Sequence, residues 1–211
     1  MEQVKVLSVE GSPFATRILI ALEEKGVKYE YQLEDLLSNK SDLLLQLNPL
    51  YKKVPVLVHN GKPICESLII LQYIYETWGS EKVLPAKPYE RALARFWADF
   101  ADKKTRLNSR PKRDMLENLK FLEGALKEMS GRRSLPFFGG KDFGFLDIAL
   151  APYVPWFHIY ETIGNFKIPF ETEYPLLDAW FKRCMERESV KKLTPSVQTL
   201  ERALEIRKRL V

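Results

Sequence analysis

Cysteine and histidine are the scarce residues of this chain. Cys65 and Cys184 are its 2 cysteines in 211 residues, far apart and without a CxxC pair. That argues against a disulfide scaffold and a dithiol redox motif. It fits a reducing compartment, with both thiols on apolar faces as small hydrophobes. His59 and His158 are the 2 histidines, which leaves little room for a histidine-based metal site or a catalytic triad, so each reads as a packing or surface residue. No run approaches the roughly 18 apolar residues of a membrane span. Met1-Glu2-Gln3 carries neither a basic n-region nor an apolar h-region, so the expected location is the cytosol, with no membrane partner. Charge of one sign is also modest: 33 Lys and Arg against 28 Asp and Glu leave a formal +5. The sharpest basic cluster, Arg132-Arg133, is short, and Arg207-Lys208-Arg209 ends a predicted helix, where cations suit the dipole. Nothing there calls for nucleic acid. Internal repeats and low-complexity tracts are missing too.

What the chain does have is organised around Gly11-Ser12-Pro13-Phe14. An apolar run over 4–7 predicts a strand leading in. Phe14, Ile18 and Leu22 recur at helical spacing leading out, with Arg17, Glu23, Glu24 and Lys25 on the other faces. Ser12 fits the N-cap and Pro13 the first helical position, where a missing N–H costs nothing. By itself that is a plain cap. A hydroxyl at a helix N-terminus also lies in a positive local field, a place to bind an anion or stabilise a thiolate.

Lys25-Gly26 reads as a helix stop, and alternation over 27–33 predicts a second strand, parallel to the first across a βαβ unit. A loop then runs into a short helix that Asn48-Pro49 breaks. Strands over 54–59 and 62–65 flank Asn60-Gly61, a strong hairpin signal. Pro55 stands where a cis bond would turn the backbone of Val54 toward a ligand. Glu66-Ser67 opens a helix with Leu68, Ile69, Leu71, Ile74, Tyr75 and Trp78 as its apolar face. Residues 1–78 therefore form an α/β domain and 79–88 a proline-containing linker. Residues 89–211 form an all-helical domain, with helices over 91–110, 112–129, 144–163 (bent at Pro152 and Pro155), 174–187 and 196–210.

Ser12-Pro13-Phe14 at a strand-to-helix turn, Val54-Pro55 before a hairpin and Glu66-Ser67 at a helix start resemble the soluble glutathione transferases. So do Phe96-Trp97-Ala98-Asp99-Phe100 and Phe143-Gly144-Phe145-Leu146-Asp147, and the likeness to the plant tau class runs nearly end to end. The resemblance implies a thioredoxin-like N-terminal domain, an all-α C-terminal domain contributing the electrophile site, a homodimer, and glutathione as co-substrate with no metal. It implies a catalytic Ser12 donating to the glutathione sulfur and Val54 pairing with the cysteinyl unit. Glu66 and Ser67 would hold the γ-glutamyl end, and Lys40 and Lys53 the glycine carboxylate. Phe14, Trp97, Trp156 and Phe157 stand at pocket-lining places, where packing is an equal reading. Asp147 is assigned to folding, as a residue capping backwards at a helix start.

The resemblance lapses in two places. The aromatic pair usual two and three residues before the serine is Val9-Glu10 here, and the 102–122 region is shorter by roughly a dozen residues, about three helical turns. Both changes fall on the electrophile side. The expectation from them is that glutathione binding is retained while the second-substrate range is altered, widened or lost. The activity the resemblance implies is glutathione conjugation to apolar electrophiles in detoxification and stress response, with a possible peroxidase reaction at the same thiolate. The alternative is a ligandin that carries hydrophobic small molecules with weak catalysis or none. A thiol-exchange enzyme is disfavoured, because serine stands where such enzymes carry cysteine.

Overall fold

The computed structural model describes residues 2–37, 40–79, 83–104, 112–130 and 135–209. The chain divides into two compact units, Met1–Glu81 with Leu193–Val211, and Lys82–Lys192. The last helix, expected within the helical domain, thus belongs to the first unit.

The first unit contains a four-stranded sheet in the order β2-β1-β3-β4. Its strands are β1 (Val4–Ser8), β2 (Glu30–Leu33), β3 (Val56–His59) and β4 (Lys62–Cys65). β1 pairs parallel with β2 and antiparallel with β3, and β3 pairs antiparallel with β4. Helices α1 (Pro13–Glu24) and α3 (Ser67–Trp78) pack against each other. Side chains alternate across the sheet, which is why β1 is apolar at successive positions. Leu7 and its cross-strand partner Val56 pack with Leu44 of α2 (Asp42–Leu47). Val6 and Leu57, paired on the opposite face, are fully buried as well, like Ile18, Leu22, Ile70 and Ile74.

Local chemistry sets the element ends. Ser12 caps α1 by accepting the Ala15 N–H at 3.3 Å, with Pro13 next. The helix closes in a Schellman motif: Gly26 has φ 64°, its N–H donates to Glu23, and the Val27 N–H donates to Leu22. That closure holds Val27 to the helix end, so β2 begins at Glu30 rather than at the expected 27. β3 likewise starts at Val56, after a cis Val54-Pro55 bond, because Pro55 has no N–H for the ladder. Asn60 and Gly61 both have positive φ, 48° and 78°, as a two-residue hairpin turn requires. His59 is a packing residue: it meets Tyr73 Oη at 2.7 Å and Glu2 at 2.9 Å and lies against the Trp78 ring. Helix α11 (Val197–Arg209) lies on the turn before α1. Gly11 there has φ 73°, and a Cβ on it would sit 2.8 Å from the Ala203 Cβ, so only glycine fits.

In the second unit, α4 (Pro88–Lys104) and α5 (Lys112–Met129) pack together. The expected helix over 91–110 begins earlier, at Pro88. Its tail, the stop at Pro111, the Arg132-Arg133 pair and part of the shortened 102–122 region lie outside the described residues. The single bent helix expected over 144–163 is two helices, α6 (Phe145–Leu150) and α7 (Val154–Gly164), with a 3-10 turn at Ala151–Tyr153. Pro152 lacks the N–H to continue α6, and its ring crowds the carbonyl one turn back. Two short helices had no periodic signal, α8 (Phe170–Glu173) and α10 (Glu188–Lys191), on either side of α9 (Pro175–Glu186). The Glu123 carboxylate caps α9 from outside by accepting the Leu176 and Leu177 N–H groups at 2.9 and 2.8 Å.

Asp147 ties this unit together. It is fully buried, and Oδ2 accepts the Gly144 N–H at 3.0 Å. Oδ1 accepts the Phe138 N–H at 3.0 Å and the Trp180 indole N–H at 2.7 Å. One carboxylate thus joins the loop at Phe138, the start of α6 and the middle of α9. Burial outweighs these donors and raises its pKa from 3.8 to about 6. The folded chain therefore holds a proton there that the unfolded chain releases, and this contribution to stability is lost as pH rises from 3.8 to about 6. Urea unfolding of wild type and Asp147→Asn, which cannot titrate, isolates the effect. The wild-type advantage is expected to shrink across that window by on the order of 3 kcal/mol. A difference that stays flat with pH would rule out burial as the dominant cause.

Candidate active site

The register of the sheet collects the site residues of the first unit at one end. β1 and β2 run parallel and finish together, with Ser8 opposite Leu33. β1 pairs Leu7 with Val56 at the start of β3, and Val56 pairs with Cys65 at the end of β4. The segments beyond that end are the Val9–Ser12 turn, the 34–41 loop with Lys40, the Lys53-Val54-Pro55 approach to β3, and Glu66-Ser67. The sheet therefore brings Ser12, Lys40, Lys53, Val54, Glu66 and Ser67 to the same edge.

Ser12 is half-buried at the mouth of α1. Its Oγ accepts from Ala15 through a lone pair, which leaves the hydroxyl proton available as a donor. Its carbonyl accepts the Thr16 N–H at 2.9 Å and the Thr16 hydroxyl at 3.0 Å. Val9 is half-buried and Glu10 exposed. Val54 is half-buried beside the cis bond. Asn48, itself buried, shapes the loop before it: its amide donates to the Lys53 carbonyl at 2.9 Å, and its side-chain oxygen accepts the Tyr51 N–H at 3.2 Å. Lys53 is exposed and Lys40 half-buried.

Glu66 precedes α3 with φ 69° and ψ 112°, a left-handed conformation for a residue with a Cβ. Such strain costs on the order of 1–3 kcal/mol and tends to collect at ligand clamps. Here it turns the exposed Glu66 out while Ser67, 8% exposed, begins the helix. The Ser67 Oγ accepts the Arg17 Nη1–H at 3.1 Å. Arg17 was expected on an outward face of α1, but it is fully buried and its guanidinium carbon lies 5.4 Å from the Phe14 ring centroid. The available signal was its position inside the apolar run from Phe14 to Leu22. Its partner on α3, however, is remote in sequence.

Both cysteines are free. Burial, and then the neighbouring Glu66 carboxylate, push the Cys65 thiol up, which makes it a poor nucleophile. Among the described residues no group of three or more His, Cys, Asp and Glu is placed to hold a metal ion. In the second unit, Trp97 is half-buried and sits edge-to-face between Phe96 and Phe100. Trp156 and Phe157 are 3% and 5% exposed. Phe157 stacks on Phe181 and meets Phe170 and Tyr160, and Trp156 tilts against Tyr160.

Comparison with known proteins agrees with this arrangement. Residues 2–76 match the model of the glutathione S-transferase N-terminal domain, and residues 89–183 that of the C-terminal domain. A probable glutathione S-transferase of Nicotiana tabacum, parC, is 51% identical over 92% of this chain and 90% of its own. The mango (Mangifera indica) tau-class enzyme superposes with a TM-score of 0.87 at 38% identity, over 97% of this chain and 98% of the other. Rice GST1, solved in complex with glutathione, gives 0.83 at 39% identity over 98% of each chain. The likeness spans both units, with half of the aligned residues identical to parC, and on that ground this chain belongs to the glutathione S-transferase family, within its tau class.

Proposed function

We propose that this chain activates glutathione as a thiolate through Ser12 and joins it to apolar electrophiles. The observation that carries the reading is the strand register, which puts a helix-capping serine, a backbone edge beside a cis-proline and a serine at a second helix start at one end of the sheet. A free thiol has a pKa near 8.5 and is mostly protonated at neutral pH. Lowering it by two units needs about 2.7 kcal/mol in favour of the thiolate. A charge-assisted hydrogen bond is worth roughly 1.5–3 kcal/mol and a helix N-terminus roughly 0.3–1. The Ser12 hydroxyl and the α1 mouth together match that requirement.

The rest of the tripeptide follows the same logic. The Val54 main chain exchanges hydrogen bonds with the cysteinyl unit, as an added strand does. The Ser67 hydroxyl keeps its proton for the γ-glutamyl carboxylate because Arg17 occupies its lone pair, and Glu66 takes the ammonium. Lys40 and Lys53 take the glycine carboxylate. Rice GST1, similar over nearly its whole length, carries bound glutathione, which supports assigning the same ligand here. In the reaction the thiolate attacks carbon, the S–C bond forms, and the electrophile's leaving group departs with the electron pair. At the same thiolate, a hydroperoxide and two glutathiones give an alcohol, water and glutathione disulfide. Phe14 in the first unit, and separately Trp97, Trp156 and Phe157 in the second, are the side chains we assign to the electrophile, each by its place in the sequence. The exposed Glu10, where tau-class sequences usually carry an aromatic, favours a second reading as a carrier of hydrophobic compounds with weak turnover. We place the reaction in the cytosol, where glutathione stays reduced and the two free cysteines stay unpaired.

We further propose a homodimer. Leu50 and Tyr51 are 85% and 58% exposed in the first unit, and Tyr89 and Phe96 are 70% and 58% exposed in the second. Large apolar side chains so exposed fit an interface between copies. Introducing Leu50→Asp together with Tyr51→Asp should halve the sedimenting mass; an unchanged mass would move the interface elsewhere.

Ser12→Ala tests the central assignment. With a chromogenic electrophile, kcat should fall about 100-fold, the equivalent of the two-unit thiol shift, while KM for glutathione changes by less than about threefold. The ultraviolet thiolate band of bound glutathione at neutral pH should vanish with it. Wild-type turnover in the variant would remove Ser12 from catalysis. Glutathione binding with no thiolate band in wild type, alongside tight dye binding, would favour the carrier.

A further inference from the structure

We propose that Glu34 is a positioning residue for the glycyl end of glutathione: it clamps the loop that carries Lys40 to the strand that leads into Ser12. The inference rests on the reading of Lys40 given above. Glu34 is 6% exposed, so its carboxylate is withdrawn from water and depends on protein donors. Oε1 accepts the Ser41 hydroxyl at 2.9 Å and the Gln32 side-chain amide at 3.2 Å, and Oε2 accepts the Ser41 main-chain N–H at 3.3 Å. The Ser41 oxygen in turn accepts the Leu44 N–H at 3.0 Å as the N-cap of α2. Its lone pair serves the helix and its proton serves Glu34, so the two bonds reinforce each other.

The main chain of the same residue points the other way. The Glu34 N–H donates to the Ser8 carbonyl at 2.8 Å, one step beyond the last β1–β2 pair of Ser8 with Leu33. Ser8 ends the strand that turns through Val9 into Ser12. A single residue therefore bonds through its backbone to the strand behind the catalytic serine and through its side chain to the neighbour of Lys40. Glu34 and Ser41 are thus tied to each other. A cation next to a residue held in this way has less freedom to lose when it meets a carboxylate, which is where binding gains from preorganisation. Glu34 touches no substrate in this account; it acts through Ser41 and Lys40.

The test compares glutathione with its glycyl monoethyl ester, which adds an ethyl group and removes the charge that Lys40 would meet. The variants are Glu34→Gln, Ser41→Ala and Lys40→Ala, each checked for folding by circular dichroism. Glu34→Gln preserves shape but turns an NH2 toward Ser41. It should raise KM for glutathione about fivefold with kcat within about twofold of wild type, and lower the preference for glutathione over the ester by a similar factor. Ser41→Ala, which breaks the clamp from the other side, should shift the preference the same way and serves if Glu34→Gln folds poorly. If Lys40→Ala lowers the preference while Glu34→Gln and Ser41→Ala do not, the clamp is refuted and the Lys40 assignment stands. If Lys40→Ala leaves the preference at the wild-type value, the Lys40 assignment falls and this inference with it. Equal losses of kcat with both substrates in Glu34→Gln would make Glu34 a general fold residue and overturn the positioning role.

Discussion

Strand β1 is hydrogen-bonded along both edges, to β2 in parallel and to β3 in antiparallel fashion. Its register against each neighbour is fixed because both faces are buried: a slip of one residue would exchange Leu7, packed with Leu44, for Val6. From that constraint the site follows. The residues after β1, after β2, before β3 and after β4 emerge together, although they come from four separate stretches of the chain. Chemistry at this end needs no long-range search by side chains, since the ladder has already aligned the backbones that carry them.

The features most legible in the sequence were those enforced by neighbours along the chain. Ser12-Pro13 marks a helix start through one capping oxygen and one missing N–H, and Asn60-Gly61 marks a turn through two positive φ angles. Strand β4 and helix α5 fall where alternation and helical spacing put them. What escaped was decided at a distance. Arg17 reads as a surface cation within α1, and its burial depends on a serine hydroxyl fifty positions later. Glu34 looks like a loop carboxylate until Ser41 folds back on it. α8 and α10 span one turn each and offer too few residues for a period to show. The candidate site residues stand in motifs along the chain, whereas the side-chain bonds of the groups beside them, Arg17, Glu34 and Asn48, carry no such mark.

Those supports share a design. Arg17, Glu34 and Asp147 are charged or acidic groups taken out of water; Arg17 and Asp147 meet hydrogen-bonding groups from segments remote in sequence, and Glu34 meets the start of the next helix. Hydrophobic packing alone would tolerate small slides between such segments, because apolar contact is non-directional. A buried carboxylate or guanidinium tolerates far less, since each lost bond leaves an unpaired polar atom in a dry place. Such groups add directionality to a core that is largely aliphatic and aromatic. In the first unit that directionality is spent on segments next to the end of the sheet where the candidate site residues gather; in the second it holds a loop and two helices in one arrangement.

The contact between Gly11 and Ala203 bears on how this molecule comes into being. A glycine near the beginning of the chain receives a helix from near its end, and it sits one residue before Ser12. During synthesis the sheet and its first helices can assemble while α11 has yet to be made. The turn before Ser12 lacks its seat until the ribosome has passed Ala203. The seat of this turn is thus completed only after α11 has been made, later than the strands and helices around it.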